Sequence, residues 1–179
     1  MRLPILAYFF AIIACASCGS GEGGSEIRSG GSFIDRLVAA ADSGSQVNFS
    51  EVNGDDWDSV FVFNPYVSVD TIYSALGYRW DGAVRSNISH EDAFSLIVFT
   101  KRGKVASAYQ KDRSHGDFAQ LGPWVVYGRD SAVFAPTLAS TGGEDWTLFY
   151  PVAVSSSANQ EGLPGCGGCK PPRNRSDRK

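Results

Sequence analysis

Large apolar side chains in this 179-residue chain are confined to its middle, and that confinement limits where a core can form. There are four Trp, seven Tyr and eleven Phe; three of them, Tyr8, Phe9 and Phe10, lie near the N-terminus, the rest fall between Phe33 and Tyr150, and none follows. Aromatic side chains bury large areas and dominate core energetics. A single globular domain is therefore expected over residues 33–155, long enough for one core and too short for two. Cysteine shows the complementary pattern: Cys15, Cys18, Cys166 and Cys169 all lie outside that unit. A disulfide scaffold would place its bridges inside the fold, so apolar packing has to hold this one together. A net charge of −3 does not point to a dedicated nucleic-acid binder, which usually shows a basic face, and no nucleic acid is expected as a partner.

Residues 1–18 read MRLPILAYFFAIIACASC, with Arg2 and the α-amino group ahead of an uncharged stretch from Leu3 to Ala16. As a helix that stretch spans about 21 Å, short of the ~30 Å hydrocarbon core, so residues 1–17 are read as a signal peptide and not as a permanent span. The small residues ahead of the cysteine make the segment resemble a bacterial lipoprotein signal (type II), in which that cysteine is acylated, for instance with palmitate, and becomes the mature N-terminus. Cys18 has the better small residues beside it. Cys15 is the alternative, because Ile12 stands three positions before it. The resemblance implies an exported protein, membrane-anchored at the cell envelope through an N-terminal lipid. In a double-membraned cell, the lack of Asp after either cysteine implies the outer membrane, facing the periplasm. Residues 19–32, GSGEGGSEIRSGGS, hold six Gly and four Ser, a composition that behaves as flexible coil. Residues 18–32 are thus read as a lipidated cysteine with its tether.

Within the folded unit, Ser32 followed by FIDRLVAAAD predicts a capped helix with Phe33, Ile34, Leu37, Val38 and Ala41 on one face, stopped by Ser43-Gly44. A strand is expected over Trp57–Phe63, with Trp57, Phe61 and Phe63 on one side and Asp58, Val60 and Val62 on the other. Ser68 caps a second helix, VDTIYSAL, ended by Gly77. The run AFSLIVF (93–99) reads as a central strand, turned at residues 100–103 into an antiparallel partner over Lys104–Gln110. Further strands are expected near Trp124–Tyr127, Ala132–Phe134 and Trp146–Tyr150. The fold class is α+β, mainly an antiparallel sheet of about five strands with two short helices on one side. The segment from Trp57-Asp58 through Val60–Phe63 and Pro65-Tyr66 to Leu76-Gly77 resembles a loose group of small, uncharacterised exported bacterial proteins; this implies a shared fold core and no particular activity.

Two histidines are available for catalysis. His90 precedes Glu91 and Asp92, and His115 stands between Ser114 and Asp117. Nucleophilic catalysis needs such groups to converge in space, and no Gly-x-Ser-x-Gly elbow is present. Asp55, Asp56 and Asp58 follow Asn53-Gly54, ordinary turn chemistry without the spacing of a calcium loop. Cys166-Gly-Gly-Cys169 lacks further ligands nearby and a helix that would activate a thiol, so it reads as a local disulfide or a metal site shared between chains. No other metal site and no cofactor is called for. Residues 156–179 form a Gly/Pro-rich tail with a basic end, opposite in sign to the acidic body.

These features favour a non-enzymatic binding or structural module over an enzyme. The partners expected are the membrane, through the lipid, and an envelope protein, glycan or anionic polymer. Trp80, Trp124 and Tyr127 are the aromatics that would build a binding surface if exposed together. The alternative is an envelope hydrolase using His90 or His115 with a nearby carboxylate.

Overall fold

The computed structural model describes residues 26–141 and 143–153. Its centre is the apolar run at 94–101, strand β4 (Phe94–Lys101), in which every residue from Ser95 to Thr100 is buried. A strand apolar on both parities must be covered on both faces. It turns at Arg102 and Gly103, whose φ values of 50° and 71° suit a two-residue hairpin and match the twist of the strands, and returns as β5 (Lys104–Asp112). On its other side β4 pairs antiparallel with β3 (Ser59–Phe63), and β3 pairs antiparallel with β6 (Trp124–Gly128). A two-residue strand, β1 (Ile27–Arg28), lies parallel to β5 at the opposite edge. The order is β1-β5-β4-β3-β6. A second, antiparallel sheet joins β2 (Val47–Asn48), β7 (Val133–Thr141) and β8 (Glu144–Pro151) in the order β2-β7-β8. The fold is α+β.

The two faces of the five-stranded sheet carry separate cores. Val60, Val62, Ile97, Phe99 and Tyr109 face helix α1 (Ser32–Ser43) through Phe33, Ile34 and Leu37, helix α2 (Phe49–Val52) through Phe49, and the second sheet through Phe134 and Phe149. Phe63, Leu96, Val98 and Ala108 face helices α3 (Val69–Leu76) and α4 (Asp81–Arg85) through Ile72, Ala83 and the preceding Trp80. The sequence reading put both of its helices on one side. In the structure α1 and α3 lie on opposite faces, because β3 and β4 are apolar at odd and even positions alike and each face requires a cover.

Three local differences have equally simple causes. Ser32 is the first residue of α1 and not its cap: Gly31, at φ 105°, takes that place, and its carbonyl accepts the Asp35 N–H at 3.0 Å. Trp57 precedes β3 and so escapes the pleat; it packs against Phe99 with Val60 and Val62, away from Phe61 and Phe63. β1 falls inside the stretch read as tether, held by Arg28, which donates to the Tyr109 hydroxyl at 3.1 Å. The second helix forms as its sequence predicts, with Ser68 accepting the Thr71 N–H at 3.1 Å and Gly77 left-handed at its end. Among the described residues no helix is long and apolar enough to cross a membrane.

Gly116 combines a close approach to a core ring with a left-handed backbone. At φ 104° it lies against the Phe149 ring, and a Cβ there would overlap that ring. Gly116→Ala should combine overpacking with a backbone conformation disfavoured for Ala, and lower the unfolding free energy by about 2 kcal/mol. The urea midpoint measures it: an unchanged midpoint at constant slope would show that Phe149 moves aside freely.

Candidate functional site

Where β3 begins and β6 ends, an open cleft of about 590 Å³ is lined by Trp57, Asp58, Lys101 and residues 128–131. The chain is led there by pairing: Asp58 lies beyond the start of β3, and its carbonyl accepts the Arg129 N–H at 3.0 Å. The Arg129 guanidinium then folds back over Trp57, its Cζ 5.2 Å from the ring centroid, and donates from Nη1 to the Trp57 carbonyl at 3.1 Å. A guanidinium so placed gains from the ring quadrupole and is fixed in orientation. Beneath it Trp57 is 1 % exposed, and its indole N–H has no hydrogen-bond partner among the described residues. A buried donor left unmade costs about 1–3 kcal/mol, so the packing of Trp57 against Phe99 has to offset it.

The acidic residues of the turn are divided among separate partners. Asp55 lies 3.6 Å from Arg28 and accepts the Tyr109 hydroxyl at 3.5 Å. Asp56 accepts from Lys101 Nζ at 2.9 Å, a bond that holds its carboxyl below the ordinary range. Asp58 accepts the Arg102 N–H at 2.7 Å and steadies the hairpin. Arg129, in contrast, has no carboxylate partner among the described residues. The cleft therefore presents an oriented guanidinium without an ion-pair partner, beside Lys101, which Asp56 already holds, and the carboxylates of Asp58 and Asp130; the guanidinium is its one uncommitted fork for carboxylate or phosphate oxygens.

Both histidines are exposed, each at the end of a 3-10 turn, Ile88–His90 and Arg113–His115. Neither lines the Trp57 cleft. The Asp117 carboxylate, expected as a partner for His115, is buried and turned to Arg113 at 2.7 Å and to the Ala119 N–H at 3.0 Å. Its backbone clamps the second sheet, donating to the Thr147 carbonyl and accepting from the Phe149 N–H, both at 2.8 Å. Ser114 donates to Asp112 at 2.7 Å.

The three candidate binding aromatics do not meet at one surface. Trp80 is buried against α3 and α4; Tyr127 packs edge-on against Phe134 on the opposite face; Trp124 is exposed on β6. Cys15, Cys18, Cys166 and Cys169 lie outside the described residues.

Two functional-looking groups escaped the sequence reading. Arg129 has no sequence signal beyond its place after a strand. Lys111 has one: it stands two residues from Tyr109, on the inward parity of β5. It is 1 % exposed, with its ammonium donating to the carbonyls of Asp112, His115 (2.8 Å) and Gly116 (3.0 Å). Burial pushes it down to about 8, against the opposing pull of Asp112, Asp117 and Asp42. Asn64 fastens the same region: its amide donates to the carbonyls of Phe118 and Gly122, and its oxygen accepts from Ser95 at 3.0 Å. Compared with known proteins, the chain matches no family model, no curated protein and no solved structure.

Proposed function

We propose that this chain is an exported envelope lipoprotein, anchored through acylated Cys18, whose domain is a non-enzymatic binding module with the Trp57–Arg129 cleft as its ligand surface. The observation that carries the reading is the Arg129 guanidinium, fixed over Trp57 by its own hydrogen bond and lacking a carboxylate partner among the described residues. Carboxylate- or phosphate-bearing envelope glycans and polymers present the oxygens such a fork accepts in pairs. The lipid signal and the Gly/Ser-rich stretch after it supply the anchor and reach.

Two experiments test the two halves. Cys18→Ala should release the protein from the membrane fraction, whereas Cys15→Ala should leave it there; the reverse pattern would move the acylation site. For the cleft, the mature chain in detergent is titrated with a uronic-acid oligosaccharide and, separately, with its neutral counterpart, read by amide and indole NMR shifts. Shifts are expected at Lys101, residues 128–131 and the Trp57 indole with the acidic sugar only. Loss of one charge-assisted pair in Arg129→Gln should weaken binding about tenfold to a hundredfold. Shifts gathered at His90 or His115, with turnover of the sugar, would replace this reading with a hydrolase.

A further inference from the structure

The second sheet has a face that belongs to neither core. Along β8, Phe149 packs inward on Phe118, so Trp146, Leu148 and Tyr150 stand on the outer face by alternation, with Glu144 at the head of the same row. Their partners across β7 are small: Ala139 beside Trp146, Thr137 beside Leu148 and Ala135 beside Tyr150. Trp146 and Tyr150 are 37 % and 41 % exposed, and neither ring joins the two core clusters. The charge here is one-sided. From Ser131 to Ala153 the chain holds two acids, Glu144 and Asp145, and no Lys or Arg. Asp145 already accepts the Ser140 hydroxyl, whereas Glu144 has no ion-pair partner among the described residues. The chain that leaves β8 carries the missing sign. Residues 154–179, outside the described residues, hold five bases and two acids, and every base follows Cys169.

We propose that the C-terminal tail is the ligand of this face. It folds back along β8, setting Leu163-Pro164 on Tyr150, Pro171-Pro172 on Trp146, and Arg173 and Arg175 at Glu144. The two segments agree in order. Taken backward from the end of β8, the row is aromatic, aromatic and acidic; taken forward, the tail is apolar, apolar and basic. They also agree in length. Residues 154–162 reach at most about 30 Å, more than the ~10 Å from Ala153 back to Tyr150. Residues 165–170 likewise reach about 20 Å, more than the ~14 Å from Tyr150 to Trp146. A proline pair has little backbone freedom to lose, and its rings pack flat on indole and phenol, as Pro-rich segments do on aromatic grooves.

A second copy of this face brings no cation to Glu144, and an anionic polymer is repelled by it; the tail answers both the aromatic row and the acid. The contact is small, and tethering makes a small contact sufficient. Its area is on the order of a few hundred Å², below the ~1,200 Å² of a stable interface between separate molecules. Exposed ion pairs add at most about 1 kcal/mol each. A short flexible linker, however, holds tail and face together at about millimolar effective concentration, so even a millimolar affinity populates the docked state at every protein concentration.

The test uses the isotope-labelled chain from residue 18 onward, with Cys18 and Cys166 replaced by Ser and a nitroxide on Cys169, next to Lys170-Pro171. Paramagnetic broadening at the Trp146 indole and at amides 144–150 should be about threefold that at the indole of Trp124, an exposed ring on β6. It should persist when the sample is mixed with excess unlabelled, nitroxide-free chain, because the contact lies within one molecule. Glu144→Lys, at an exposed position, and about 0.5 M salt should each halve it. In nitroxide-free protein with Cys166 and Cys169 intact, ending the chain after Gln160 should move the same resonances. Broadening spread evenly over the surface, broadening that mixing removes (a second copy's tail on the face), broadening indifferent to Glu144→Lys or to salt, or spectra that agree with and without the tail would each overturn the proposal.

Discussion

Phe99→Ala is expected to lower the free energy of unfolding by about 4 kcal/mol. Phe99 is fully buried and sits among four aromatic neighbours. Phe33 and Trp57 meet it at 5.1 and 4.9 Å between centroids, and Phe49 and Tyr109 at 6.0 Å. These come from α1, α2, the approach to β3, and β5, so no single element can collapse into the space left behind. The lost transfer free energy is then augmented by a cavity that stays open and by the loss of edge-to-face pairs, each worth about 0.5–1.5 kcal/mol. For a domain of this size the melting temperature should fall by about 15 °C. Scanning calorimetry measures it. A fall of only a few degrees would mean that the α1 side of the core repacks.

The second large effect is tied to pH. At neutral pH, Lys111→Met removes three hydrogen bonds from an ammonium, each worth about 1.5 kcal/mol or more, and relieves the burial of a charge worth ~3 kcal/mol, for a net loss of about 2 kcal/mol. The balance then shifts in alkali. Folded Lys111 releases its proton near 8, whereas an unfolded lysine holds it to about 10.4. Between those values the unfolded chain binds more protons, so this group adds stability as pH rises, up to ~3 kcal/mol by the upper end. The gap between wild type and Lys111→Met should therefore widen from pH 8 to 10.5. Tyr127, whose hydroxyl burial pushes up, works in the other direction above pH 10, but equally in both proteins, so it cancels in the difference. Urea titrations at matched pH give the answer. A constant gap would mean that the Lys111 ammonium keeps its proton throughout.

The elements that were legible in the sequence are those whose own residues determine them. α3 carries its cap at Ser68 and its stop at Gly77; the β4–β5 hairpin carries a purely apolar run and a turn at Arg102-Gly103. The second sheet was seen only in fragments. β7 includes Pro136 and small or polar residues, and its inward positions, Phe134 and Pro136, are too few to advertise a nine-residue strand. β1 was hidden for the opposite reason: two residues in a Gly/Ser-rich stretch are held by what β5 presents to them, not by their own pattern. The candidate cleft followed the same rule. The acids near Trp57 were conspicuous but disperse to separate partners, while Arg129 gains its place through a carbonyl 72 positions away in sequence. The alternation that places Trp57 beside Phe61 fails because the pleat begins two residues after it.

The way β1 is attached decides how the domain responds to load. Among the described residues, a force applied from the N-terminal side is met first at Ile27–Arg28, a two-residue strand at the sheet edge, backed by the bond of Arg28 to Tyr109 and its contact with Asp55. That pairing is the shortest in the five-stranded sheet, and although Ile27 packs against the core on the α3 side, β5 keeps its full pairing with β4 when β1 lifts away. The domain thus has a sacrificial seam. Tension would release the residues from β1 to the start of α1 and expose the Ile27 contact on one core, while the strands of the sheet from β5 to β6 stay paired.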